Sequence, residues 1–287
     1  MEIVLAVLAA VMFSLGTVLQ QRAATDVPDE ETMKAGLLLR LVKRPVWMAG
    51  IACDGLGFVF QATALYFGKL VVVQPLLAFA VVFALPFGRW INGRPITGND
   101  LVGASAVTAG LIFFLVMADP QGGVSDASTI SWIVSGAIAA VICLALIGAS
   151  RGRRPSPKAA LLGMSAGILF GFSAGLTLTV VDDLDQGVIA ILTDWHLYAL
   201  LVVGWISMTL SQASLQTGAL APAVSSQMSL DPITSVLLGV LIFQERIHDT
   251  VAEGAIALTG LAVMVAGLVI LARAEARAGA GRDSPPA

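Results

Sequence analysis

Two carboxylates stand inside strongly apolar stretches: Asp54 in WMAGIACDGLGFVFQ and Asp231 in SSQMSLDPITSVLL. An ionisable group at the centre of a bilayer costs at least ~2.5–3.5 kcal/mol on insertion scales, so such a group belongs against a partner or a wet cavity. Asp54 and Gln61 are seven residues apart and fall on nearly the same helix face. They form a polar stripe that reads either as a substrate or proton site or as a helix–helix hydrogen bond. Asp231 precedes Pro232, which removes a backbone donor and frees the carbonyl of Met228. A helix broken beside a carboxylate suits ligand binding, and a locally capped kink is the plainer alternative. Amides can replace a solute's water shell because they donate and accept. The candidate substrate-binding set is therefore Ser14, Gln20, Asp54, Gln61, Gln74, Gln212, Gln216, Gln227 and Asp231. For any single glutamine, packing between helices is an equal reading. No catalytic residue is assigned.

The elements that must carry these side chains follow from composition. Of 287 residues, 57% are hydrophobic and only 12% charged, against roughly 25% in soluble domains. So few charges cannot cover a water-facing surface, whereas lipid removes the need and demands helices or a closed barrel. The apolar runs are unbroken over about twenty residues and do not alternate, which selects helices. Nine runs reach spanning length: 3–22, 46–67, 70–91, 99–118, 129–149, 158–181, 195–216, 219–243 and 251–273. The first lacks the basic start of a signal peptide and reads as a span. The stretches 33–44 and 184–194 are too short to cross at ~1.5 Å per residue and read as interfacial or re-entrant. Residues 274–287 are polar and read as a disordered cytoplasmic tail. Cys53 and Cys143 lie in apolar runs as buried thiols.

The charges orient the spans. All of the 16 basic residues except Lys69 and Arg246 fall in one alternating set of loops. Basic loops stay cytoplasmic, which puts the N-terminus outside and the C-terminus inside a plasma membrane. The opposite face is acidic, from Glu2 through Asp182, Asp183, Asp185 and Asp194 to Glu253. Such a face raises the local cation concentration; acids left unconstrained by topology are the simpler account.

The two halves of the chain resemble each other. Gln61-Ala62 matches Gln212-Ala213, Gly88 matches Gly239, and Gly103-Ala104 matches Gly254-Ala255, all at one offset. Ala6, Ala10 and Ser14 correspond to Gly163, Gly167 and Gly171, with small residues every fourth position for close helix approach. The expected organisation is a first repeat at 1–128, a linker span and basic loop at 129–157, and a second repeat at 158–273. Five spans separate equivalent helices, so the repeats are inverted. Inverted repeats are characteristic of secondary transporters, whose site lies near the midplane between them.

The stretch from Pro232 to Glu245-Arg246-Ile247, followed by Gly254-Ala255 and Thr259-Gly260, resembles the EamA-type repeat of the drug/metabolite transporter superfamily. Phe13 through Gln20-Gln21-Arg22, then Trp47-Met48-Ala49-Gly50, Gly55, Gly57, Gln61 and Pro75-Leu76, resemble the NIPA-type magnesium transporters within it. The resemblance implies an all-α membrane bundle of about nine spans in two inverted repeats, and transport. Three positions depart from the NIPA pattern. Phe58 stands at a glutamate position, Gln61 at an asparagine position and Arg94 at an acidic one, and the lost carboxylate counts against magnesium selectivity.

The expected function is a secondary transporter of small metabolites or cations working by alternating access, with a cavity lined by spans one, two, three, six, seven and eight. The alternative is a NIPA-like carrier of magnesium or another divalent cation. A membrane-embedded enzyme or accessory subunit is the third reading, against which stands the lack of any Ser/His/Asp set or charged catalytic loop. No phosphate loop GxxxxGK[ST] is present, so direct ATP drive is not expected. No cofactor is implied. His196 and His248 carry no metal motif, and the identity of any metal site stays open. The partners implied are the lipid bilayer and a small-molecule or ion substrate. Proton coupling through Asp54 or Asp231 and a homodimer stay open, and no nucleic acid is implied.

Overall fold

The computed structural model describes residues 1–25, 44–93, 95–118, 121–124, 126–217, 219–246 and 251–280. The expected element at 33–44 therefore lies almost wholly outside the described residues, as does Arg94. The helices are α1 (Glu2–Thr25), α2 (Pro45–Phe67), α3 (Leu70–Ala78), α4 (Ala80–Asn92), α5 (Gly98–Ala118) and α6 (Thr129–Ser150). They continue with α7 (Pro155–Asp182), α8 (Val188–Thr193), α9 (Trp195–Leu215), α10 (Leu220–Leu241) and α11 (Val251–Ala280). Among the described residues, 8 segments are long and apolar enough to cross a membrane, with α3 and α4 counted as one. The chain is an all-α, multi-pass membrane protein.

The ends of the helices follow from local chemistry. Pro45 and Pro155 open α2 and α7, where a missing N–H costs nothing. The Ser128 hydroxyl caps α6 by accepting from the Ser131 N–H at 3.2 Å. Gly93 closes α4 in the left-handed region at φ 67°.

Close approach is set by glycine. On α7, Cβ atoms added at Gly163 and Gly171 would lie 2.5 Å from the Ala223 carbonyl oxygen and 2.7 Å from that of Asp231. These pairs keep a constant separation in sequence, so α7 and α10 run parallel. Gly103 meets Gly267, and Gly110 meets Gly260. Here the residue numbers have a constant sum, so α5 and α11 cross antiparallel. The same relation, through Gly57 against Phe13 and Gly50 against Gln20, makes α1 and α2 antiparallel. Apolar side chains elsewhere face outward, as on α6, where Ile130, Ile133, Ile138 and Val141 are exposed.

Three observations refine the sequence expectations. Span three is not one smooth helix: it carries Pro75 and is interrupted at Phe79, between α3 and α4. Conversely, α10 continues through Pro232, so the break expected beside Asp231 is absent. Finally, α11 extends to Ala280, so residues 274–280 are helical where a disordered tail was expected. Their run of Ala, Glu and Arg has high helix propensity and prolongs the span. The stretch 184–194 forms a 3-10 turn at Asp183–Gln186 and the six-residue α8, too short to cross.

Candidate functional site

A cavity of about 670 Å3 lies within the bundle. Its walls come from α1, α2, α3–α4, α7, α9 and α10. They correspond to the six apolar runs expected to line such a cavity.

The polar groups on the wall are few. Asp231 is its one carboxylate, half-buried on α10. Gln61, Gln74 and Gln227 supply amides from α2, α3 and α10. Gln74 is 4% exposed, and its Nε2 has no hydrogen-bond partner. A buried amide N–H left unmade costs ~1–3 kcal/mol, which a ligand acceptor in the cavity would recover. The Gln227 Oε1 accepts from the Ser211 hydroxyl at 2.7 Å, which leaves its NH2 for other partners. Ser173 and Thr177 are also on the wall, but their hydroxyls donate back to Leu169 O at 2.9 Å and Ser173 O at 2.8 Å. That is the usual local use of a helical hydroxyl.

The remainder of the wall is apolar and soft. Phe13, Phe58, Phe170 and Trp205 contribute aromatic rings, and Met208 and Met228 contribute thioethers. Reading polar residues alone misses this half of the site. The signal available was the substitution at Phe58, where the resemblance expects a glutamate; its ring is 46% exposed and faces the cavity.

The other candidates lie elsewhere. Gln20 Nε2 donates to Asp54 Oδ2 at 2.5 Å, joining α1 to α2 away from the cavity wall. Gly16 and Gly50 bring the helices together at this point, and Asp54 Oδ1 occupies the space a side chain at residue 16 would need. The stripe Asp54–Gln61 is therefore divided. One turn of the α-helix rises ~5.4 Å, so groups seven residues apart are about two turns apart, and the cavity reaches only the second. Ser14 is buried with an unpartnered hydroxyl and is not on the cavity wall. Gln212 and Gln216 are exposed and outside it.

At one end of the bundle the two halves of the chain are tied together. Glu245 is 3% exposed, and its carboxylate accepts from the N–H groups of Leu70 and Val71, each at 2.9 Å. It thereby caps the N-terminus of α3, where unpaired donors and the helix dipole favour negative charge. Burial pushes this carboxyl above its ordinary range, while the Val71 and Leu70 N–H groups and Lys69 pull it down. Beside it, Gln121–Gly122 pairs antiparallel with Glu245–Arg246. The Tyr66 hydroxyl donates to Asp185 at 2.6 Å from α2 to the turn after α7. Glu245 follows span eight at the acidic end of the bundle, and the β pairing of its loop holds it over the start of α3.

No family model matches the chain, and no solved structure does. An uncharacterized protein of Corynebacterium glutamicum is 26% identical over 274 residues, covering 95% of each chain.

Proposed function

We propose that the protein is a secondary transporter that carries a small organic solute bearing one positive charge through the cavity between two inverted halves. The observation that carries this reading is the composition of the wall. One carboxylate, Asp231, stands among three amides, four aromatic rings and two methionines. A cation paired with one carboxylate and resting on aromatic faces gains both Coulomb and cation–π attraction. A cavity of about 670 Å3 is of the size that encloses a small molecule.

The packing supports the inverted repeat. α1 crosses α2 antiparallel, and α7 crosses α9 in the same sense, with the Ser214 hydroxyl donating to Ala159 O at 2.8 Å. α5 and α11, equivalent under the repeat, meet antiparallel through reciprocal glycines. On this reading α10 also spans, as the eighth in chain order, and brings the count to nine. It is 22 residues long, about 33 Å at ~1.5 Å per residue. Its serines, Gln227 and Asp231 lower its apolar character; Gln227 and Asp231 line the cavity, and Ser226 and Ser235 meet α7. The repeats then occupy 1–128 and 158–273, with α6 as linker, as in the EamA-type bundles of the drug/metabolite transporters. With the basic loops cytoplasmic, the Glu245 end faces outside in this reading. The Glu245 and Tyr66 ties join the halves at that end, which favours solute entry from the cytoplasmic side in this reading.

The magnesium reading is weaker on the same ground. A small hard cation takes near-octahedral oxygen and keeps several waters, whereas phenyl and thioether groups cover much of this wall. Flux into proteoliposomes tests the choice. Wild type should exchange monovalent organic cations, Asp231→Asn should lose most of that flux, and Mg2+ should compete poorly. Magnesium uptake without organic-cation flux overturns the proposal.

A further inference from the structure

A second, smaller pocket of about 260 Å3 opens beside the start of α9. Asp126, Asp183, Asp194 and His196 line it, together with Thr179 and Gln186. Three carboxylates and one imidazole gather here from three segments far apart in sequence: the loop before α6, the turn after α7, and the first residues of α9. His196 is 4% exposed. Its ring packs against two indoles, Trp195 at 3.9 Å and Trp132 at 5.4 Å between centroids.

The hydrogen bonds fix what this imidazole presents to the pocket. Nδ1 lies 2.6 Å from Asp194 Oδ2. A carboxylate only accepts, so Nδ1 carries the proton, and the neutral ring has a lone pair at Nε2. Nε2 is buried with no hydrogen-bond partner. The nearest carboxylate oxygen, Asp126 Oδ1, is 3.5 Å from it. That oxygen is held in place by the Trp132 indole N–H, at 3.1 Å. A lone pair facing an anionic oxygen is repulsive unless a positive charge lies between them. Ligand bonds of ~2.0–2.2 Å at a tetrahedral ion put neighbouring ligand atoms ~3.3–3.5 Å apart, which matches the observed separation. The Asp194–imidazole pair also reproduces the outer-shell arrangement that orients metal-binding histidines and raises their basicity.

We infer that His196 Nε2 and Asp126 Oδ1 form a binding site for a divalent transition-metal ion of the zinc type. Asp194 is the positioning residue that holds the imidazole tautomer. Among the described residues no group of three His, Cys, Asp or Glu side chains converges at ligand distance, so water completes the coordination shell, with Asp183 on the same wall. An imidazole ligand selects zinc-like ions over magnesium and calcium, which prefer oxygen throughout. The site is separate from the bundle cavity, with which it shares no residue.

The test uses the full chain, purified in detergent and stripped with chelator, titrated with Zn2+, Co2+ and Mg2+. Calorimetry and the visible absorption of Co2+ read binding directly. Wild type should take up one Zn2+, and Co2+ should give the absorption of a tetrahedral nitrogen–oxygen site. His196→Gln and Asp126→Asn should each weaken binding by tenfold or more, and Asp194→Asn by 10–100-fold. Asp231→Asn should leave it unchanged, which separates this site from the transport reading. Folded wild type that binds neither Zn2+ nor Co2+ overturns the inference and leaves a protonated imidazole between two carboxylates. Binding unaltered in both His196→Gln and Asp126→Asn overturns it equally.

Discussion

Removing the Glu245 carboxylate should weaken the whole bundle, because that group is the acceptor for two buried backbone donors. Two N–H groups, of Leu70 and Val71, donate to it at 2.9 Å in a site only 3% exposed. Each buried donor left without a partner costs ~1–3 kcal/mol. Glu245→Ala therefore costs about 2–6 kcal/mol in total, a large part of the stability of an ordinary domain. Glu245→Gln keeps one acceptor oxygen and turns an N–H toward the second donor, so it should lie between Ala and wild type. Equilibrium unfolding of the purified chain in mixed micelles with increasing SDS reads the difference. A surface control is Glu2→Gln, whose carboxylate sits 3.6 Å from the N-terminal amine; it should unfold with wild type. If Glu245→Ala unfolds at the wild-type SDS fraction, the carboxylate does not hold α3 and does not tie the halves at that end.

Further consequences are smaller and local. Gly260→Ala places a methyl group 2.6 Å from the Phe114 backbone nitrogen and should destabilise by about 1–3 kcal/mol. Gly148→Ala, which meets nothing within 4 Å on α6, should be neutral or stabilise by up to ~1 kcal/mol in the same unfolding assay. Asp54→Ala should lower stability through loss of the Gln20 bond and leave solute affinity within twofold, since the pair lies off the cavity wall. Tyr66→Phe removes one inter-half bond and should speed solute exchange more than it changes affinity.

The sequence carried the membrane class and most spans because lipid imposes long apolar runs that are easily read. The small-residue stripe Gly163–Gly167–Gly171 was equally legible, since spacing by four places residues on one face. What faced that stripe was not legible: nothing in the sequence says that α10 packs on it in parallel. Of the polar candidates, Gln61, Gln74, Gln227 and Asp231 share the cavity, whereas Asp54 faces α1. Periodicity gives the face of one helix but not which neighbour covers it. The aromatic wall was hidden because phenylalanine and tryptophan in an apolar run are indistinguishable from lipid-facing residues until the bundle closes. Glu245 and His196 were hidden for another reason. Each acts through partners far away in the chain, at Leu70–Val71 and at Asp126, and no local motif marks either.

The account rests on a cavity between the halves that water and solute can enter. Single cysteines at Gln61→Cys and Gln74→Cys, in a chain with Cys53 and Cys143 replaced by serine, report on it through a membrane-impermeant maleimide, with Ile138→Cys on α6 facing outward. Labelling of the first two positions, and not of residue 138 in a bilayer, is the predicted result. Inert cysteines at both cavity positions in folded protein, from either side of the membrane, would contradict it.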